Sequence, residues 1–193
     1  MFGDEINRQE AAEWTPALKE RLKPAVLYHA SRNRNIEVFE PRAESVRHPE
    51  EGPVVFAAED EVYACKFLVP SDDSWAKLSR FGKVHVAVYA DKARFFENDK
   101  GGAVYELPSD SFELDPKFSG STVEWTSKSP VKPIKKIVYE SGFQAMLDNR
   151  VQVYFITPEQ LQSMKDAPDH GYAIIKTLES ENAKLNKNVI PLK

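Results

Sequence analysis

Three short segments carry the residue types that can act together on a bound ligand. They are Tyr28-His29-Ala30-Ser31, Val54-Val55-Phe56-Ala57-Ala58-Glu59-Asp60 and Val123-Glu124-Trp125-Thr126-Ser127. A histidine at a strand end can hydrogen-bond a ligand while the next backbone groups face the same cleft. Equally, it can cap a turn or satisfy a core carbonyl. Phe56 reads first as a large core side chain. Glu124 sits among β-formers, where it is either a carboxylate facing a cleft or an outward strand residue. Alternation sets Glu124 and Trp125 on opposite faces of their strand. Cys65 falls on the buried face of an expected helix, where cysteine behaves as a small hydrophobe rather than a nucleophile. His48, His85 and His170 are scattered, none at ligand spacing with another histidine or a cysteine, so no metal site is expected. Lys128, Lys132, Lys135 and Lys136 form a basic run. It reads either as a solvated strand edge whose lysines discourage pairing, or as a phosphate-meeting surface with Trp125 or Tyr139 to stack on a base.

Taken in chain order, these segments form a histidine strand, an aromatic strand leading into a helix, and a carboxylate strand. That order resembles the ADP-ribosyltransferase superfamily, whose characteristic triad is a histidine, an aromatic and an acid. Tyr28-His29-Ala30-Ser31 looks like the family's histidine strand end. Val55-Phe56-Ala57-Ala58 with Val62-Tyr63-Ala64 looks like its second strand and following helix. Glu124-Trp125-Thr126-Ser127 with Val131 and Pro133 looks like its late acid-bearing strand and the strand after it. The likeness covers residues 25–140. It is closest to the small rifamycin-modifying and RNA 2'-phosphotransferase branches and more distant from the poly-ADP-ribose polymerases.

The resemblance implies NAD as a substrate and transfer of ADP-ribose to a protein, nucleic acid or small-molecule acceptor. It implies that His29 binds the nicotinamide-side ribose, that the Ala30 backbone meets the carboxamide, and that Ser31 helps to position either group. Phe56 or Tyr63 would line the nicotinamide pocket. Glu124 would hold the ribose 2'-hydroxyl and stabilise the charge developing at the anomeric carbon, as a fixed carboxylate can in an oxocarbenium-like transition state. Arg32, Arg34 and Arg42 either meet the pyrophosphate of the dinucleotide or form a solvated charged loop. Two positions depart from the family pattern. Ala30 replaces a glycine, and Val55, which cannot stack on nicotinamide, stands where the family has its tyrosine. Two other readings therefore stand beside the transferase: a non-catalytic nucleotide- or protein-binding domain on the same fold, and an RNA- or phosphate-processing protein.

The elements that must position these residues are short. Ala25–Tyr28 and Val54–Ala57 read as buried strands, with mainly loop between them and a Gly52-Pro53 turn. Glu59 and Asp60 suit a helix N-terminus, and Pro70 ends that helix. Residues 83–89 alternate Val84, Val86 and Val88 with His85, Ala87 and Tyr89, a strand pattern. Further strands are expected at 103–107, 122–127, 131–139 and 151–155, with an irregular or extended stretch at 112–118. Pro133 must sit at the start or edge of its strand. Thr157-Pro158-Glu159 is a helix start. Helices are expected within 4–22, at 141–149, from 158 to about 166, and over 172–187. Strands that do not alternate regularly with helices disfavour a doubly wound dinucleotide fold. The expected class is α+β, with mixed, mainly antiparallel short-stranded sheets forming a split β core and helices near both ends. The expected divisions are an N-terminal helical extension (1–24), the core (25–140) and a C-terminal α/β extension (141–193).

Composition bounds these readings. The 193 residues are 41% hydrophobic and 29% charged, enough apolar content for a folded core. One cysteine allows no internal disulfide and no thiolate cluster. A net charge of -4 does not favour a phosphate-backbone partner. No run approaches the ~18 apolar residues of a membrane span, and Met1–Glu10 lacks the basic start and apolar centre of a signal peptide. A cytoplasmic protein without a membrane partner is the expectation.

Overall fold

The computed structural model describes residues 23–43, 49–114 and 124–181. The helix expected within 4–22, the stretch 115–118 and the end of the last helix beyond 181 lie outside them. The strands are β1 Val26–Ser31, β2 Val55–Ala58, β3 Ala76–Phe81, β4 Val84–Tyr89, β5 Gly102–Pro108, β6 Phe112–Glu113, β7 Glu124–Ser127, β8 Lys135–Tyr139 and β9 Gln152–Phe155. The helices are α1 Glu61–Cys65, α2 Lys92–Asn98, α3 Gly142–Asp148, α4 Pro158–Asp166 and α5 Tyr172–Glu181. The fold is α+β, with mostly antiparallel strands in open sheets. Six strands pair in the order β6-β7-β2-β1-β5-β8, and three in the order β3-β4-β9. The β4–β9 pair is parallel.

The described residues divide into two compact units. The first holds 23–29, 35–43, 49–61, 105–114 and 124–136. Its β2 and β7 run antiparallel with Val55 opposite Ser127, Phe56 opposite Thr126, Ala57 opposite Trp125 and Ala58 opposite Glu124. Directly paired residues of an antiparallel ladder share a face, and neighbours along a strand alternate. Val55, Ala57, Trp125 and Ser127 are therefore on one face, and all four are buried. Phe112 joins them opposite Ser127. The loop after β1 is tied to this unit by two isolated bridges, Phe39 with Val131 and Arg42 with Val54.

The second unit holds 30–34, 62–104 and 137–181. Residues β3 and β4 form a hairpin closed by Gly82-Lys83, with Phe81 opposite Val84 and Gly82 at φ 60°. A glycine at the first position of a two-residue turn matches the twist of the flanking strands. Val84, Val86 and Val88 pack with Tyr154, Met164, Ile175 and Leu178 in one apolar cluster. His85, Ala87 and Tyr89 on the other side are buried too, so β4 is covered on both faces despite its alternating pattern. Helix α4 opens with the expected cap: the Thr157 hydroxyl accepts from the Gln160 amide and the Gln160 side chain returns a bond to the Thr157 amide.

One carboxylate organises the start of α3. Asp99 accepts from the Ser141 hydroxyl at 2.7 Å, the Phe143 amide at 3.0 Å, the Gly101 amide at 3.1 Å and the Gly142 amide. Burial acts to raise its pKa, but these hydrogen bonds outweigh it and hold the carboxyl below its ordinary value. Next to it, Gly101 takes φ 63° because the backbone of Tyr139 and Glu140 crosses close by. A Cβ at Gly101 would lie 2.6 Å from the Glu140 carbonyl oxygen. Gly52 also has positive φ, at 73°, but an added Cβ there meets nothing within 4 Å.

These two glycines give a paired test. Gly101→Ala is expected to lose about 3 kcal/mol or more, because left-handed strain adds to a backbone clash that cannot relax. Gly52→Ala pays only the conformational strain, about 1 kcal/mol. Urea denaturation of both variants measures the difference.

Candidate functional site

The strands that carry the three sequence motifs are neighbours: β7-β2-β1 are consecutive in the six-stranded sheet. Their register decides what the motifs can do together. Tyr28 pairs with Ala58, and Ala58 pairs with Glu124. One cross-strand row therefore runs Tyr28, Ala58, Glu124, with all three side chains on the same face. Phe56 and Thr126 share that face, and both are half-buried, as are Tyr28 and Glu124. His29 follows Tyr28 directly and belongs to the opposite face.

The surroundings of His29 agree with that placement. Its ring lies 4.6 Å from the ring of Phe39, which is 5.1 Å from the ring of Tyr105. Phe39 and Tyr105 are both buried. The imidazole Nδ1 is 2.6 Å from the Phe56 carbonyl oxygen. A carbonyl only accepts, so Nδ1 carries the proton and donates it, leaving Nε2 as the acceptor nitrogen of the neutral ring. Burial lowers the His29 pKa, and Arg42 pushes in the same direction. The Phe56 carbonyl opposes them without reversing the shift. His29 is thus a neutral, tautomer-fixed residue on the core side of the sheet.

The opposite face is polar. Burial raises the Tyr28 pKa, and the carboxylates of Glu106 and Glu61 add to the rise. Glu106 is joined to Lys135 at 3.0 Å. By register Glu124 shares the Tyr28 face of the sheet and not that of His29. Trp125, beside it in sequence, points into the core with 2% exposure, and its indole N–H finds no acceptor among the described residues. A ring enclosed in this way cannot stack on a nucleic-acid base, which removes one of the two stacking candidates.

The remaining expected ligand-binding residues have identifiable neighbours. The Ser31 hydroxyl accepts from the Asn33 amide at 3.2 Å, a local turn. Arg32 and Arg42 are exposed. Arg34 forms a clamp: its guanidinium donates to both Glu140 carboxylate oxygens at 3.0 and 3.2 Å, and to the carbonyls of Tyr139 at 3.2 Å and Lys100 at 3.3 Å. Ala30 is half-buried within β1. Val55 is buried at 4% exposure.

Tyr63, on α1, is engaged by its own unit. Its ring lies 5.5 Å from Phe67 and 6.3 Å from His85, and the Lys66 ammonium sits 4.4 Å above it. Lys66 is fully buried and its ammonium also donates to the Ser79 carbonyl at 3.4 Å. In the sequence this lysine falls within the helical spacing of Val62, Tyr63, Lys66 and Phe67, which does not mark it as buried. Among the described residues, no group of three His, Cys, Asp or Glu side chains is arranged to hold a metal ion. No helix among them is long and apolar enough to cross a membrane.

Comparison of the chain with family models, curated proteins and solved structures gives no match.

The His29 geometry fixes a pH dependence. A histidine whose folded pKa lies below its ordinary 6.5 binds fewer protons when folded. Its contribution to stability is complete above 6.5 and is lost as pH falls through the folded value. His29→Asn retains an N–H donor for the Phe56 carbonyl but cannot titrate. Denaturation curves on both sides of 6.5 are expected to show a smaller acid loss in the variant than in the parent.

Proposed function

We propose that the chain is a non-catalytic nucleotide- or protein-binding domain on an ADP-ribosyltransferase-like core, rather than a transferase. The observation that carries this reading is the cross-strand row Tyr28–Ala58–Glu124. Breaking the glycosidic bond of NAD by the route that the family resemblance implies needs one ribose held by the histidine and faced by the acid. The donor or charge that stabilises a transition state must stand within hydrogen-bond reach of the reacting group. Here the sheet itself separates His29 from Glu124.

Two further observations favour binding over cleavage. Val55 supplies no ring at the position where the resemblance calls for a stacking aromatic, and it is buried. Arg34, one of three candidate pyrophosphate ligands, is held by Glu140 and two backbone carbonyls. The adjacency of β1, β2 and β7 supports the likeness of the core; their register supports the loss of the chemistry.

Nicotinamide release from NAD by the purified full chain, with Glu124→Gln as the partner variant, tests this reading. The expected outcome is no release above the protein-free rate from either. Release by the parent that disappears in Glu124→Gln would overturn it and assign the acid its catalytic role. Calorimetric titration with NAD then sorts the ligand class: saturable heat places a nucleotide in the site, and no heat places the function with a macromolecular partner.

A further inference from the structure

The second unit carries a contiguous aromatic face. Helix α2 buries one ring, Phe95, against those of Tyr89, Phe143 and Phe155. The next ring, Phe96, is 45% exposed. It lies 5.5 Å from the ring of Phe143 at the start of α3 and 5.6 Å from the ring of Phe155 at the end of β9. Phe143 and Phe155 are half-buried and 6.2 Å apart. Three elements thus hold three rings within aromatic contact of one another at the surface, fixed from below by Phe95. Exposed apolar side chains scattered singly need no explanation, but a contiguous group marks an interaction site.

Charge identifies the occupant. Lys92, Ala93, Phe96 and Glu97 on α2 are all exposed. The helical turn sets Lys92 and Glu97 on either side of Phe96. Five positions apart, they do not face each other, and neither side chain makes a hydrogen bond or an ion pair with any described residue. The Lys92 ammonium rests 5.5 Å from the centroid of the Phe155 ring. That contact places the charge over a ring and leaves its N–H donors for an acceptor. Arg94, by contrast, is engaged by Asp72 and the Trp75 ring. The aromatic face is therefore flanked by one unpaired cation and one unpaired anion. An acidic segment, a nucleic-acid strand or an anionic membrane would gain at Lys92 and be repelled at Glu97. A second copy of the chain brings the opposite charge to each.

We propose that this face of α2 is the contact between two copies of the chain, related by a two-fold axis beside Phe96. A two-fold contact makes one surface complementary to itself. Lys92 of each copy would meet Glu97 of the other, and the rings of Phe96, Phe143 and Phe155 would cover their counterparts. Ala93, small and exposed, leaves room beside Phe96 for an incoming ring. These few residues fall short of the roughly 20–30 a side in a standard interface, so the dimer is weak and concentration-dependent. The proposal goes beyond the binding-domain reading, lies wholly within the second unit and does not depend on what Glu124 does.

Sedimentation equilibrium of the full chain, up to about 1 mM where weak specific pairs form, reads the association. The parent is expected to move from monomer towards dimer as concentration rises, with the largest amide shifts on dilution at residues 92–97, 143 and 155. Lys92→Glu and Glu97→Lys each set like charges across the contact and should weaken the dimer about tenfold or more. Both positions are exposed, and each change suits its end of α2, an acid at the start and a base near the finish, so the fold is kept. Mixed in equal amounts, the two variants carry matching charges again and should associate as the parent does. Neither a structural defect nor contact through another face produces that rescue. A parent that stays monomeric throughout would overturn the proposal. So would association that both single variants retain at the parental strength, or a mixture that associates no better than its components.

Discussion

The pairing of β2 with β7 is the constraint on which the rest of the first unit depends. A strand has a side-chain period of two, so register alone decides which residues reach the core. With Ala57 opposite Trp125, the ladder sends Val55, Ala57, Trp125 and Ser127 inward, and all are buried. The same pairing sends Phe56, Glu124 and Thr126 to the half-exposed face with Tyr28. A slip of one residue would bury Glu124 and expose Trp125. Burial of an uncompensated carboxylate is costly, and exposing the indole forfeits the hydrophobic contribution of a large ring. The register that protects the core is therefore also the register that parts His29 from Glu124.

The second unit is held by polar groups that are saturated by their own neighbours. Asp99 accepts four hydrogen bonds around the start of α3, and Arg34 donates to Glu140 and two carbonyls. Arg34 reads in the sequence as a candidate pyrophosphate ligand, but its guanidinium is engaged within the chain by Glu140 and two backbone carbonyls. Lys66 is similar: a buried cation set over the Tyr63 ring occupies the aromatic face that a ligand would otherwise meet.

Most elements were legible in the sequence because they rest on local rules. The Thr157-Pro158 start of α4 follows from capping chemistry, and β1, β2, β5, β7 and β9 from short apolar or alternating runs. Strand β3 and helix α2 were not read, although Phe81-Gly82-Lys83-Val84 is a hairpin turn and Asp91 accepts from the Arg94 amide as an N-cap. Their signals are turn and cap residues rather than apolar periodicity, since Lys77, Ser79 and Arg80 break the pattern of β3. The alternation of β4 marks it as a strand, and the packing of the second unit buries both of its faces. The motif residues were also legible, and alternation correctly separated Glu124 from Trp125. What no local rule contains is the register between strands about seventy residues apart, a pairing set by which face must be dry. The Arg34–Glu140 clamp, 106 residues apart in sequence, was hidden for the same reason.

The most direct measurement is the register itself, from backbone nuclear Overhauser contacts between β2 and β7 in the isotopically labelled chain. Contacts that place Ala57 opposite Trp125 and Phe56 opposite Thr126 are expected, with Tyr28 and Glu124 both paired to Ala58. Contacts that place Ala57 opposite Glu124 would turn the carboxylate to the face of His29. That result would contradict the separation of the two residues and return the chain to the transferase reading.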